Sequence, residues 1–154
     1  MPAFGESSIA KLNTVAPELR TICERLVQVY DITVVYGHRG RDAQDKLVRM
    51  GYSKIPWPTS KHNYDPSLAV DIAPWINGRV IWGDGTGLSS PAANRHEMEN
   101  AQNRELAEIY LMAGRFLQIA YDLGIKVRWG GDWNRDNHTF DNRFNDLFHF
   151  ELER

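Results

Sequence analysis

The 154-residue chain holds a single cysteine, Cys23, which excludes an internal disulfide and any cysteine-rich metal site. Cys23 recurs at helical spacing with Leu19, Ile22 and Leu26, so it reads as a small core residue and not as a reactive thiol. Positive charge is not in excess: 18 Lys and Arg stand against 20 Asp and Glu, a formal charge of -2 that offers nucleic acid no footprint. No apolar run approaches the roughly 20 residues of a membrane span. The stretch Met1–Glu6 has neither the basic region nor the apolar run of a secretory signal, so synthesis and folding in the cytosol are expected. Repeats, linkers and low-complexity tracts are missing too. What is left, 42% hydrophobic and 25% charged, suits one domain over residues 1–154 with a real hydrophobic core.

The apolar pattern sorts that domain into elements. A short helix over Ser7–Asn13 carries Ile9 and Leu12. Pro17 suits the first turn of a second helix, whose apolar stripe runs Leu19, Ile22, Cys23, Leu26, Val27 and Tyr30. Ile32–Tyr36 is β-branched and aromatic, a strand. After the turn Gly37–Gly40, Asp42 is expected to cap a helix with Ala43, Leu47 and Met50 on one face. Residues 52–67 form a proline-rich loop. Leu68–Ala73 reads as a strand ended by Pro74, and Asn77-Gly78 as a two-residue hairpin leading into a return strand, Arg79–Trp82. Past a Gly/Ser-rich loop, Gly83–Ser90, a long helix spans Ala92–Leu123, with Ile109, Met112, Ala113, Phe116, Leu117 and Ala120 inward and a solvated face of Arg95, Glu97, Glu99, Arg104, Glu105 and Glu108. Strands over Ile125–Trp129 and Leu147–Leu152 flank a polar loop. The order predicts a small α+β domain whose mostly antiparallel sheet packs against helices.

Two stretches stand out chemically. Asp71 sits inside the apolar strand Leu68–Ala73, where a carboxylate is costly unless a cation or donors meet it. His149 lies among Phe148, Phe150 and Leu152, and strand alternation puts Leu147, His149 and Glu151 on one face. His62 opens the segment that leads to Asp71. Two imidazoles, one carboxylate and an open position describe a hydrolytic zinc site, and Asp146 or Glu151 could activate a water there. Trp129 and Trp133 could floor a groove for a sugar-peptide polymer. Met98 and Met112 read as packing, and His96 and His138 as solvated.

Ser60-Lys61-His62 with Ala69-Val70-Asp71, and Asp146-Leu147-Phe148-His149, resemble the S-x-H, A-x-D and D/E-x-x-H motifs of the LAS family of zinc peptidases, whose fold is LAS/Hedgehog-like. Tyr36-Gly37-His38-Arg39 followed by Gln44, Gly51-Tyr52-Ser53, and Val127–Trp133 narrow the resemblance to the L-alanyl-D-glutamate peptidase branch, known from bacteriophage endolysins. It spans roughly Pro17 to Leu152. The resemblance implies Zn2+ held by His62, Asp71 and His149, Asp146 as general base, and Arg39 steadying the substrate or its oxyanion. Ser60, Gln44, Trp133 and Glu151 are expected as supporting or substrate-binding residues; His38 reads as a turn histidine bonded to backbone or as one lining the cleft, and Asp132 as a supporting contact or as fixing its own turn. The implied activity is endopeptidase cleavage of the peptidoglycan stem peptide, between L-Ala and γ-linked D-Glu, for host lysis. The enzyme would be a monomer with no separate wall-binding domain and no membrane insertion, reaching the wall through a holin. A D-Ala-D-Ala carboxypeptidase or dipeptidase would use the same ligands, and a wall-binding module would use zinc only as a staple. The interval from His62 to Asp71 is two residues longer than in the family, with Asp65-Pro66-Ser67 in place of its glycine, so that loop's substrate contacts are not carried over.

Overall fold

The computed structural model describes residues 2–88 and 91–154. Its elements, in chain order, are α1 (Glu6–Leu12), α2 (Pro17–Val27), β1 (Ile32–Tyr36), α3 (Arg41–Arg49), β2 (Ala69–Ile76), β3 (Arg79–Val80), α4 (Arg95–Asp122), β4 (Val127–Gly130) and β5 (Asp146–Leu152). The strands form one sheet of order β1-β2-β5-β4, with β3 attached to β2, and every strand pair is antiparallel. The α+β class and the antiparallel sheet therefore match the expectation. Ser89 and Ser90, the end of the expected Gly/Ser-rich loop, lie outside the described residues. None of the described helices is long and apolar enough to cross a membrane.

Alternation along the strands splits the sheet into two unlike faces. Val70, Ile72, Trp129, Phe150 and Leu152 point one way and pack against Leu19, Ile22, Cys23 and Leu26 of α2 and Met112, Ala113, Phe116 and Ala120 of α4. The rings of Phe116 and Phe150, both fully buried, are 4.0 Å apart between centroids. Truncating either ring in such a core typically costs about 3–5 kcal/mol. The intervening residues, Asp71, Arg128, His149 and Glu151, face the other way. One face holds the fold together and the other carries the polar groups.

Several boundaries differ from the expectation for local reasons. Strand β2 runs through Pro74 to Ile76. Its pairing with β5 covers only residues 69–71, so Pro74 lies past that neighbour and its missing N–H breaks no ladder there. The hairpin forms as expected, with Asn77 and Gly78 both at positive φ, but the return strand is only Arg79–Val80. Helix α3 starts after Gly40, not Asp42, which instead sits in the first turn, where a negative charge suits the helix dipole. Ala43 and Met50 are exposed, and the residue α3 buries is Gln44. In α4 the cap is Asn94, whose Oδ1 accepts from the Glu97 amide at 3.0 Å. Glu105 is not solvated: it is fully buried and, among the described residues, neither carboxylate oxygen has a hydrogen-bond partner. Glu108 accepts a 2.5 Å hydrogen bond from the Tyr30 hydroxyl.

Candidate metal centre

Asp71 and His149 are directly opposed across β2 and β5, so strand pairing alone brings the mid-chain and C-terminal stretches together. His62 arrives from a single 3-10 turn, Lys61–Asn63, capped by Ser60. The Ser60 hydroxyl accepts from the His62 amide (3.2 Å), while the Ser60 amide donates to Asn63 Oδ1 (3.1 Å). Asn63 Nδ2 in turn donates to the Arg39 carbonyl and to Gln44 Oε1. Residues 64–66 of the longer interval are exposed, and Ser67 is buried with its backbone bonded to Thr14 and Ala16, so the extra length bulges at the rim.

Three donor atoms converge. His62 Nε2 is 3.1 Å from Asp71 Oδ1, His149 Nδ1 is 3.0 Å from the same oxygen, and the two nitrogens are 3.2 Å apart. Each imidazole is tied on its far side: His62 Nδ1 lies 2.7 Å from the Gly37 carbonyl and His149 Nε2 lies 2.9 Å from Glu151 Oε2. Carbonyl and carboxylate oxygens only accept, so they hold the ring protons and turn both lone pairs inward, beside a carboxylate. Three electron-rich atoms in a buried triangle are satisfied by a divalent metal or, without one, by the proton that His149 takes up beside Asp71. Zinc bonds of 2.0–2.1 Å in a tetrahedron give ligand–ligand edges of about 3.3 Å, and this triangle is close to one such face. The donor set thus fits a divalent metal ion, and His62, Asp71 and His149 could hold one.

Charges around the triangle reinforce each other. Burial alone would raise the Asp71 carboxyl, but the charges and hydrogen bonds of His62 and His149 hold it far below the usual carboxylate range. Burial would lower His149, but hydrogen bonds to Asp71 and Glu151 and the charges of Asp71 and Asp146 push it up to about 10. Glu151 is lowered despite its burial by His149 and then by Arg128. Asp146 is raised, first by burial and then by the charge of Asp71.

Asp146 faces this cavity because of an irregularity in β5. Trp129 of β4 pairs with Phe150, yet the next residue, Gly130, pairs with Asp146, leaving residues 147–149 as extra length on β5. Such a bulge turns a side chain that strict alternation would point away. It lets Asp146 and His149, three apart, open onto the same space, and it returns Leu147 to the core.

The cavity measures about 500 Å³ and is lined by Arg39, Lys54, Arg128, Trp133, Asp146 and Glu151 among others. Arg39 donates from Nη2 to Asp71 Oδ2 (3.2 Å) and from Nη1 to Gln44 Oε1 (3.2 Å); its Nε is buried without a partner. Gln44 is the hub of the wall, bonding also to Ser53 and the Ile55 carbonyl. The Trp133 ring lies 5.7 Å from that of His149. Two candidates take the turn roles open to them. His38 Nδ1 bonds the Tyr64 carbonyl outside the cavity, and Asp132 accepts from the amides of Asp136 and Asn137 within its own turn. Trp129 is a core residue, its Nε1 donating to the Leu147 carbonyl. Arg128, which carries no role of its own within the Val127–Trp133 motif, stands opposite Glu151 across β4 and β5 and donates to it from Nε (3.0 Å) and Nη2 (2.5 Å). Strand alternation through Val127-Arg128-Trp129 was the signal available.

Comparison with known proteins gives the family and the fold. The profile of the phage L-alanyl-D-glutamate peptidase family matches residues 2–92 and 91–153. The L-alanyl-D-glutamate peptidase of Escherichia phage T5 is 31% identical over 140 residues, covering 90% of this chain and 86% of that protein. The crystal structure of the Serratia marcescens L-Ala D-Glu endopeptidase ChiX superposes with a TM-score of 0.68 at 22% identity, over 99% of this chain and 91% of that one, and shares its fold.

Proposed function

Because the chain belongs to the phage L-alanyl-D-glutamate peptidase family, we propose that its cavity hydrolyses the bond between L-Ala and D-Glu in the peptidoglycan stem peptide. The observation that carries this reading is the triangle of His62 Nε2, Asp71 Oδ1 and His149 Nδ1, each edge 3.0–3.2 Å, with an acid on the same cavity wall.

A zinc ion held by those three atoms would polarise the scissile carbonyl and lower the pKa of a water to about 7. Asp146 is the base. It stands on the same cavity wall as the triangle, and it takes a proton from the water as the oxygen attacks the alanyl carbonyl carbon. When the carbon–nitrogen bond breaks, Asp146 gives that proton to the leaving nitrogen, and the amine then takes the proton of the new carboxyl, so the products are an alanyl carboxylate and the ammonium group of D-Glu. Glu151 is not the base on this reading: His149 and Arg128 already occupy its oxygens. Arg39 fixes Asp71 through Oδ2 and brings positive charge to the wall where the carbonyl oxygen becomes negative. Ser60 and Gln44 act by holding the His62 turn and Arg39, and Trp133 covers His149. Zinc is favoured over harder ions because the set has two imidazole nitrogens and one carboxylate. The chain acts as one catalytic unit, as a monomer, and reaches the wall through a holin-type pore.

The test is metal analysis paired with mass spectrometry of muropeptides digested by the wild type and by His149→Ala. New L-Ala carboxyl termini and D-Glu amines, lost together with the metal in the variant, are the expected result. Release of terminal D-Ala would overturn the bond assignment in favour of a carboxypeptidase.

A further inference from the structure

The cavity presents a charge problem that the ligand triangle does not solve. The D-Glu of a stem peptide continues the chain through its γ-carboxyl, so its α-carboxylate is free and travels into the site with the scissile bond. Three protein carboxylates, Asp71, Asp146 and Glu151, already line that space. A fourth is admitted only where a cation is waiting for it. Scissile carbonyl carbon and α-carboxylate carbon are three bonds apart, at most about 4 Å, so the cation must line the same cavity within reach of the triangle.

Four cationic side chains line the cavity. The Arg39 guanidinium is buried and spends Nη1 and Nη2 on Gln44 and Asp71. Lys61 is held at the outer edge by the carbonyl of Arg154. Lys54 is exposed and rests over the Phe144 ring, 5.5 Å from its centroid, at the end of a flexible stem. Arg128 differs from all three. One edge of its guanidinium is fixed on Glu151 Oε1, its face lies 5.3 Å from the Trp133 ring centroid, and its side chain remains 40% exposed. Among the described residues Nη1 has no hydrogen-bond partner. Glu151 is also bonded to His149, so this fixed guanidinium stands one side chain behind a ligand of the triangle. A planar guanidinium fixed on one edge with donors free on another is preorganised for a carboxylate, which a lysine point charge is not.

We propose that Arg128 recognises the free α-carboxylate of the D-Glu residue and so makes this site selective for stems carrying D-Glu over stems in which that carboxyl is amidated to D-isoglutamine. The inference rests on the bond assignment proposed above. The pair Glu151–Arg128 then has two duties on one axis: Glu151 orients His149, and Arg128, held by the same carboxylate, orients the substrate beside it.

The experiment compares two synthetic stem peptides, L-Ala-γ-D-Glu-L-Lys and its D-isoglutamine counterpart. Both kcat/KM and, by calorimetry, binding are measured for the zinc-loaded wild type, Arg128→Gln, Arg128→Lys and Lys54→Met. A charge-assisted hydrogen bond predicts that the wild type favours the carboxylate peptide by about 10- to 100-fold. Arg128→Gln should bring the two peptides to within about threefold, mainly through KM on the carboxylate peptide, at unchanged metal content. Arg128→Lys should restore part of the preference. A preference that survives in Arg128→Gln, or one that disappears in Lys54→Met instead, overturns the proposal, as does a wild type with no preference in binding. If neither peptide is cut but the binding preference follows Arg128, the bond assignment fails and the role of Arg128 stands.

Discussion

Gly130 and Asp146 approach so closely that a Cβ at position 130 would stand 2.1 Å from the Asp146 carbonyl oxygen. Glycine is required there, and this contact closes the bulge that aims Asp146 at the metal triangle. Gly130→Ala is therefore expected to displace Asp146 while leaving His62, Asp71 and His149 in place. Wall hydrolysis should fall by about 100-fold or more, the share a positioned acid–base group supplies, with metal content retained. Normal turnover in that variant would show that the contact does not set the position of Asp146.

Asp146→Asn keeps the shape of the side chain and removes its basicity. Muropeptide release should drop by about 10²- to 10⁴-fold with zinc stoichiometry and unfolding temperature unchanged. Turnover that persists would move the base elsewhere on the cavity wall.

Glu151→Ala takes away the acceptor for His149 Nε2 and leaves Arg128 without its anchor. Losing such an outer partner typically weakens metal affinity by about 10- to 100-fold, which a competition titration with a chelating dye would read. An unchanged affinity would mean that His149 is oriented by the strand alone.

Chelation should leave the fold intact, since the apolar core lies on the opposite face of the sheet. Far-UV circular dichroism is expected to be unchanged while activity is lost, and unfolding on chelation would mark the metal as a structural staple. In the chelated protein stability should depend on pH. The His149 pKa is raised from 6.5 to about 10 in the folded state, so its protonated form stabilises the fold fully below about pH 6.5. That contribution is lost as pH rises toward 10. The unfolding temperature of chelated wild type should fall across this window, and that of chelated His149→Ala should not show the same decline.

Glu105→Met removes a buried carboxylate with no partner on either oxygen. Leaving such a group unsatisfied costs about 1–3 kcal/mol, so the variant should melt several degrees higher. A lower melting temperature would mean that the carboxylate is stabilised in the native state.

The sequence carried the triangle because its geometry is local or sheet-borne. Asp71 is conspicuous as a charge in an apolar strand, and His149 meets it by simple antiparallel pairing. The elements were legible where periodicity is long, as in α2 and α4. Asp146 was legible as one of two acids beside His149, and family resemblance chose it over Glu151, but its orientation was not: alternation points it away from His149, and the bulge that reverses this depends on a backbone contact with Gly130, 16 residues earlier. Gln44 was expected at the site, but its burial at the centre of the wall was not foreseen, because helical spacing in α3 favoured Ala43 and Met50. Polar hubs are buried by their partners, here Arg39, Asn63 and Ser53, and those partners come from other parts of the chain. Glu105 was missed for the opposite reason, since nothing in its neighbours marks it as different from the charged residues around it.

The two oxygens of Asp71 are engaged by different groups. Oδ1 meets both imidazoles, and Oδ2 is taken by the Arg39 guanidinium. With Arg39 in place the carboxylate is restricted to monodentate coordination, so the chain contributes one oxygen where calcium seeks six to eight. For a metal held by this triangle, Arg39 would thereby set the denticity and discriminate against large oxygen-seeking ions without touching any ion itself.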